Sequence, residues 1–276
     1  MVEQQLLPVT QRTRVRRLPE RQRRERAALH AVLDGGLICH LAFVVDGSPV
    51  VLPTAYGRDG DVVYLHGSTG SGWLRALAAG APLCLGVTLL DGLVLARSGM
   101  HSSMNYRSAV VFGHATEVTL DDAKRHALRV VIEHLAPGRW EELRPITRKE
   151  LAATLVVAVP LDEASVKVRT GAPKDDEEDL DLPIWSGVLP LSLMPGRPEP
   201  DPTVPPGIPV PPSVRGWVAG AGDLRPPDPA VPVTAGGTPP GREAEAPTPA
   251  HAGKTAAPTG PGGTVARPPT EPARPG

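Results

Sequence analysis

The chain is poor in aromatic and thiol groups: its 276 residues include two Phe, three Tyr, four Trp and two Cys. Two cysteines cannot form a disulfide framework, and without a CxxC pair or a His/Cys cluster they mark no zinc site. Cys39 and Cys84 lie in apolar, strand-like runs and read as buried thiols. No apolar stretch approaches the ~20 residues of a membrane span, and the N-terminus has no signal-peptide core. The expectation is a cytoplasmic protein with no membrane partner. The net charge is −1, so no global field draws the chain to nucleic acid. Charge is nevertheless segregated. Eight arginines crowd residues 12–26, and six carboxylates fill residues 175–181. No recognition motif accompanies the basic run, so it reads as a solvated helix face, with no nucleic-acid partner expected.

Proline is abundant and unevenly placed. Of 34 prolines, 23 lie in residues 195–276, among few large apolar side chains. Such a segment cannot bury enough surface to offset its chain entropy. The expected organisation is therefore one domain over residues 10–193 and a disordered tail over residues 194–276. The PxxP-like spacing in the tail suits polyproline II, either as a plain extension or as a docking segment.

Within the domain, hydrophobic period separates the elements. Residues 19–33 read as a helix, with Pro19 in its first turn and Gly35-Gly36 after it. Residues 37–45, 48–57 and 61–67 read as a three-strand meander with Asp-Gly turns at 46–47 and 59–60. A short helix over 68–80 follows. Residues 83–90 and 93–99 then read as a hairpin about Asp91-Gly92, and 106–118 as the next strand. A clear helix occupies 121–138, a helical turn 147–153, and strands 155–161 and 165–171. The fold class is mainly β: a small β-barrel of seven or eight strands with flanking helices, since closure removes exposed edges. A Rossmann fold is excluded, because no GxGxxG follows the first strand and the strands arrive in hairpins.

Three stretches can carry chemistry. LHGSTGSG (65–72) leads from a strand into a helix. Unsatisfied amides there suit a phosphate, with His66, Ser68 and Ser71 as donors and Gly67 allowing close approach; a plain N-cap fits equally well. SMNYRS (103–108) places Asn105 and Arg107 on one strand face and Tyr106 on the other. Such donors suit a planar heterocycle, while a surface ion pair for Arg107 is the simpler reading. In the third, Lys167 and Arg169 share a strand face, and Trp185 lies in an extended loop where it plugs the core or covers something flat. No HxH, HExxH or His/Cys pairing supports a metal site, so the histidines read as packed or solvated. No GxSxG elbow points to a hydrolase.

Together, LAFVVDGSPVVLPTAYG, VYLHGSTGSGWLRAL, SMNYRSAVVFGHA and SVKVRTGAPKDDEED with WSGVLPL resemble the pyridoxamine 5′-phosphate oxidase-related flavin-nucleotide-binding proteins. The branch they are most similar to includes the nitroimidazole-resistance proteins. The resemblance implies a split β-barrel homodimer with FMN between subunits; the deazaflavin F420 and haem rank behind FMN. It places the phosphate near His66, Gly67, Ser68 and Ser71. It runs the ring and ribityl chain past Pro53, Thr54 and Tyr56 toward Asn105, Tyr106, Arg107 and Ser108, with Lys167, Arg169 and Trp185 nearby. The implied reaction takes electrons from NAD(P)H to a small electron-poor acceptor, although a non-catalytic flavin or haem carrier has the same sequence features. The basic phosphate-binding triplet of true pyridoxamine-phosphate oxidases is replaced by HGSTGS, which argues against vitamin B6 oxidation.

Overall fold

The computed structural model describes residues 5–220; tail residues 221–276 lie outside the described residues. Eleven strands form two antiparallel sheets. They are β1 (Gln22–Arg23), β2 (Ile38–Val45), β3 (Ser48–Ala55), β4 (Gly57–Asp59), β5 (Val62–Ser68), β6 (Pro82–Leu95), β7 (Ser103–His114), β8 (Thr116–Glu117), β9 (Thr154–Pro160), β10 (Glu163–Arg169) and β11 (Gly187–Pro190). The larger sheet runs β1-β10-β7-β6-β2-β3, with β11 pairing to β6; the smaller runs β4-β5-β9-β8.

Both sheets bury one face in a shared core. Period-two alternation drives this: Leu41 and Phe43, Leu83 and Leu85, Ala109 and Val111, and Val166 point in from the larger sheet. Val63 and Leu65 of β5 and Val157 and Val159 of β9 meet them from the smaller one. Helix α1 (Arg26–Gly35) closes the core with Leu29, Val32 and Leu33. Helix α2 (Gly72–Ala78) adds Leu74 and Leu77. Helix α3 (Asp121–Leu135) and the short α4 (Arg148–Ala153) cover the outer face of the smaller sheet, where Ala127, Leu128, Leu151 and Val156 form a second cluster. Thr147 and Glu150 form a reciprocal capping box that starts α4.

The structure departs from the sequence-based expectations at four places. The first helix begins at Arg26; before it, Pro19–Arg21 form a single 3₁₀ turn and Gln22–Arg23 add to β10. That pairing is long-range and invisible to local periodicity. The expected meander is divided between sheets. β2 and β3 pair about Asp46 (φ 49°) and Gly47 (φ 76°), a type I′ turn. The chain then crosses at Tyr56, and β4 pairs only with β5. A Cβ on Gly57 would stand 2.7 Å from the Val130 carbonyl of α3, so only glycine permits this helix to seat there. Next, Asp91-Gly92 is a bulge, not a turn. β6 runs unbroken from Pro82 to Leu95 beside β7, and the register shifts between Leu90 and Gly92. The displaced Asp91 carboxylate receives a bidentate pair from Arg107, at 2.8 and 3.0 Å.

The fourth departure concerns residues 194–220, assigned to the tail by composition. Helix α5 (Pro212–Gly220) docks on the domain. The Trp217 indole N–H donates to the Leu135 carbonyl at 2.9 Å, and the Ser213 amide and hydroxyl both donate to Glu142. Local apolar anchors here outweigh the proline-rich average. A chain ended at Leu193 should therefore melt about 5–10 °C below one ended at Gly220, as the loss of about 2–3 kcal/mol of hydrogen bonding and packing would give. Equal melting temperatures by calorimetry would show that the docking stabilises nothing.

Candidate functional site

The smaller sheet has two faces with different fates. Val63 and Leu65 of β5 enter the main core, so Tyr64 and His66 must point to the other side. There His66 meets a cavity of about 730 Å³. Leu128 and Ile132 of α3, with Trp140, Leu143 and Ile146 from the following loop, give it largely apolar walls. Arg125 and Arg144 stand in the same lining; Arg144 pairs with Glu150 at 2.5 Å. His66 Nδ1 is buried without a hydrogen-bond partner. Burial lowers the pKa of the ring, which favours the neutral imidazole.

A second cavity, of about 610 Å³, lies where β1 joins β10. Lys167 and Arg169 line it, with His101, Ser102 and Ser103. In the β10–β7 register Lys167 faces Ser108 and Arg169 faces Tyr106, so these four share one sheet face. Arg169 is nearly buried and donates to Asn105 Oδ1 and to the Gly171 and Ala172 carbonyls.

The residues singled out from sequence therefore fall into separate groups. Asn105, Tyr106, Ser108, Lys167 and Arg169 come together at this second cavity and the adjoining strand. Arg107 points to the other side, where it is tied to Asp91, so the ion-pair reading holds for it. Pro53 is exposed opposite His40, while Thr54 opposes the buried Cys39. Tyr56 is fully buried, its hydroxyl donates to the Leu33 carbonyl and its ring lies 4.7 Å from that of His134. It has no surface to offer a ligand, and its place beside a flavin is withdrawn. Its phenol pKa is raised, first by burial.

The 65–72 loop is on the other sheet. Its amides at Thr69, Gly70 and Ser71 are engaged by the Ala153 carbonyl, Ser68 Oγ and the Ser68 carbonyl, leaving those at the start of α2 for any anion. Ser71 occupies the N-cap position without a side-chain cap bond. Gly67 packs toward Leu74, away from His66. Trp185 is 67% exposed and rests over Gly187, so it does not plug the core. Asp175, from the acidic run, is instead a buried anchor that accepts from Arg97 and Ser186.

Sequence reasoning missed two things. It read each histidine without context, whereas the helix that gives His66 its apolar wall is some sixty residues away (Leu128 and Ile132). It also read the arginine run as a solvated face, although β1 draws it to β10. The eight-arginine cluster was the available signal. Cys39 and Cys84 are both free; Cys39 is buried as expected, whereas Cys84 is only half-buried, and burial pushes the Cys39 pKa up to about 12.

Comparison with known proteins identifies the family and the fold. The family model described as pyridoxamine 5′-phosphate oxidase matches residues 25–168. The chain belongs to that family. Its fold is the split barrel common to these proteins. No curated protein matches the chain. Among solved structures, the FAD and haem binding protein from Mycobacterium smegmatis is 48% identical, covering 71% of this chain and 97% of its own, with a TM-score of 0.69. The flavocytochrome Anf3 from Azotobacter vinelandii is 40% identical over 75% of this chain and 97% of its own, with a TM-score of 0.71. A candidate 5-nitroimidazole antibiotic resistance protein from Bacteroides thetaiotaomicron VPI-5482 is 22% identical over 53% of this chain and 86% of its own, with a TM-score of 0.46.

The lowered pKa of His66 has a thermodynamic consequence. Above about pH 6.5, the unperturbed histidine value, the ring is neutral folded or unfolded. Below it the unfolded chain binds a proton that the native ring resists. The His66 contribution to stability is thus present above about pH 6.5 and lost as pH falls through the folded pKa. Subtracting the urea-unfolding pH profile of His66→Leu from that of the unsubstituted protein should leave a difference that changes below about pH 6.5 and is flat above it. Parallel profiles would show the ring titrating as it does in water.

Proposed function

We propose that the protein binds a flavin and a haem and passes electrons from NAD(P)H through the flavin to a small electron-poor acceptor. The observation that carries the haem half is His66: a half-buried ring whose Nδ1 is buried without a partner and whose pKa burial lowers, in the lining of a cavity of about 730 Å³ that has apolar walls beside charged ones. Neutral imidazole is the state that ligates iron, and cavities of about 300–1,000 Å³ are usual for cofactors. The donor set fits the group. His66 would hold the iron, Leu128, Ile132 and Trp140 would pack against the ring, and Arg125 supplies a cation suited to a carboxylate side chain, Arg144 being already paired with Glu150. When bound, a haem supplies one-electron and oxygen chemistry, and a flavin hydride transfer. The support from relatives is that one is named for FAD and haem and another as a flavocytochrome. On that support FAD is proposed in place of the FMN expected from sequence.

For the flavin, the carrying face is that of Tyr106, Ser108 and Lys167 on β7 and β10. Ile38, Val44 and Val51 leave the larger sheet's outward side apolar and exposed, at 52, 55 and 65%. A second copy of the chain would cover such a surface, so the working form is proposed as a homodimer, acting in the cytoplasm, where free thiols persist. No described helix is long and apolar enough to cross a membrane.

The test is spectroscopic. Purified protein supplied with both cofactors should show a flavin band and a Soret band, and NADPH should bleach the flavin band under anaerobic conditions. His66→Ala should lose the Soret band and its haem on extraction while keeping the flavin. Full haem retention by that variant would remove His66 from the site, and folded protein that takes up neither cofactor would end the proposal.

A further inference from the structure

Nothing in the flavin and haem reading uses Arg17, Arg21 or Arg23. They nevertheless converge with Lys167, Arg169 and Lys174 around the cavity of about 610 Å³, and Glu20 is the one carboxylate in its lining. The closest carboxylate to Arg21 among the described residues is Glu20, at 4.0 Å. Arg17, Lys167 and Lys174 make no ion pair among the described residues, although Arg97 and Arg107 nearby are each matched by an aspartate. Like charge is crowded here. Burial lowers the Arg169 pKa, and the charge of Arg21 lowers it further. Arg169 itself is held by Asn105 and by the Gly171 and Ala172 carbonyls, which fixes the turn leading to Lys174. Arg23 donates to the Glu20 and Gln22 carbonyls and Arg21 reaches only Glu20, so the cavity holds more positive than negative charge. A fold that gathers such an excess of cations is relieved by an anion of matching charge, and guanidinium forks suit phosphate oxygens. Ser102 and Ser103 add hydroxyl donors.

We propose that this cavity binds the diphosphate of a dinucleotide, and that its cations make the protein take a dinucleotide flavin in preference to a mononucleotide. Arg21, Arg23, Lys167 and Lys174 are the phosphate partners. Lys167 and Arg169 stand opposite Ser108 and Tyr106, so the cavity is continuous with the face assigned to the flavin. The diphosphate assignment stands on the cavity alone; the preference between flavins rests on the flavin reading above. A nicotinamide dinucleotide carries the same diphosphate, and the experiment separates the two sources.

Full-length protein stripped of ligands is titrated with inorganic pyrophosphate, ADP, FAD, FMN and NADPH. The same is done for Arg21→Gln, Lys167→Gln and Lys174→Gln, and for Arg75→Gln, an exposed cation on α2, as a control. Pyrophosphate and ADP should bind, and more weakly as salt rises. Each cavity variant should weaken ADP about five- to twentyfold, and Arg21→Gln and Lys174→Gln should weaken FAD equally, in line with loss of a charge-assisted bond. FMN should change less than about twofold in Arg21→Gln and Lys174→Gln, as should every ligand in the control; Lys167→Gln, on the face assigned to the flavin, is compared for pyrophosphate and ADP alone. Melting temperatures equal to that of the unsubstituted protein exclude unfolding as the cause, and three independent positions guard against one that misfolds. Wild-type protein that binds FAD but neither ADP nor pyrophosphate overturns the cavity assignment and leaves the flavin reading standing. Equal losses for FAD and FMN overturn the flavin preference. ADP and NADPH binding that the variants lose, in protein that takes up no flavin, upholds the diphosphate site and overturns its link to flavin.

Discussion

The crossing at Tyr56-Gly57 is the constraint on which the rest of the molecule depends. One residue carries the chain from the larger sheet to the smaller. Tyr56 plugs the joint, with its hydroxyl donating to the Leu33 carbonyl of α1 and its ring against His134 of α3. His134 in turn reaches the Gly36 carbonyl at 2.6 Å. Gly57 lets the α3 backbone approach closely. Strand, helix and sheet are thereby locked together with few degrees of freedom. Because α3 is seated here, the outward face of β5 is covered, and a histidine that would otherwise meet water lines an apolar chamber.

The two cavities then follow from opposite physical causes. Around His66, partial burial beside apolar side chains disfavours the charged ring. Around Lys167, a two-strand ladder only two residues long draws an arginine-rich arm against a basic strand and leaves the charges unmatched. One chamber suits a flat apolar group with a ligating nitrogen, the other a highly charged one. Neither contains residues of both expected sets. The 65–72 loop and the β7–β10 face lie on different sheets of one chain; the homodimer proposed above would supply a second copy of each.

Much of the architecture was legible from period and punctuation. The Asp46-Gly47 hairpin, α2, α3, the helical turn of α4 and the β9 and β10 strands follow from local signals of sufficient strength. The misreadings share a cause. Asp91-Gly92 has turn chemistry, but pairing on both sides by β7 and β11 holds the strand straight and makes it a bulge. Residues 19–25 have helical composition, but strand addition to β10 overrides it. Proline content in 194–220 hides a docked helix whose anchors are two side chains, Ser213 and Trp217.

By itself, the sequence determined the class of the fold, its family, the strands that alternate and the donors available at 65–72 and 103–108. Those properties are local: a period of two, an Asp-Gly step or a capped helix is written within a dozen residues. Tertiary structure alone decided which side of each strand meets solvent, which histidine is shielded, and which arginines lack a partner. Each of these depends on contacts between segments far apart in the chain, some sixty residues for His66 and α3 and more than a hundred for Arg23 beside Val166, and no local pattern encodes them.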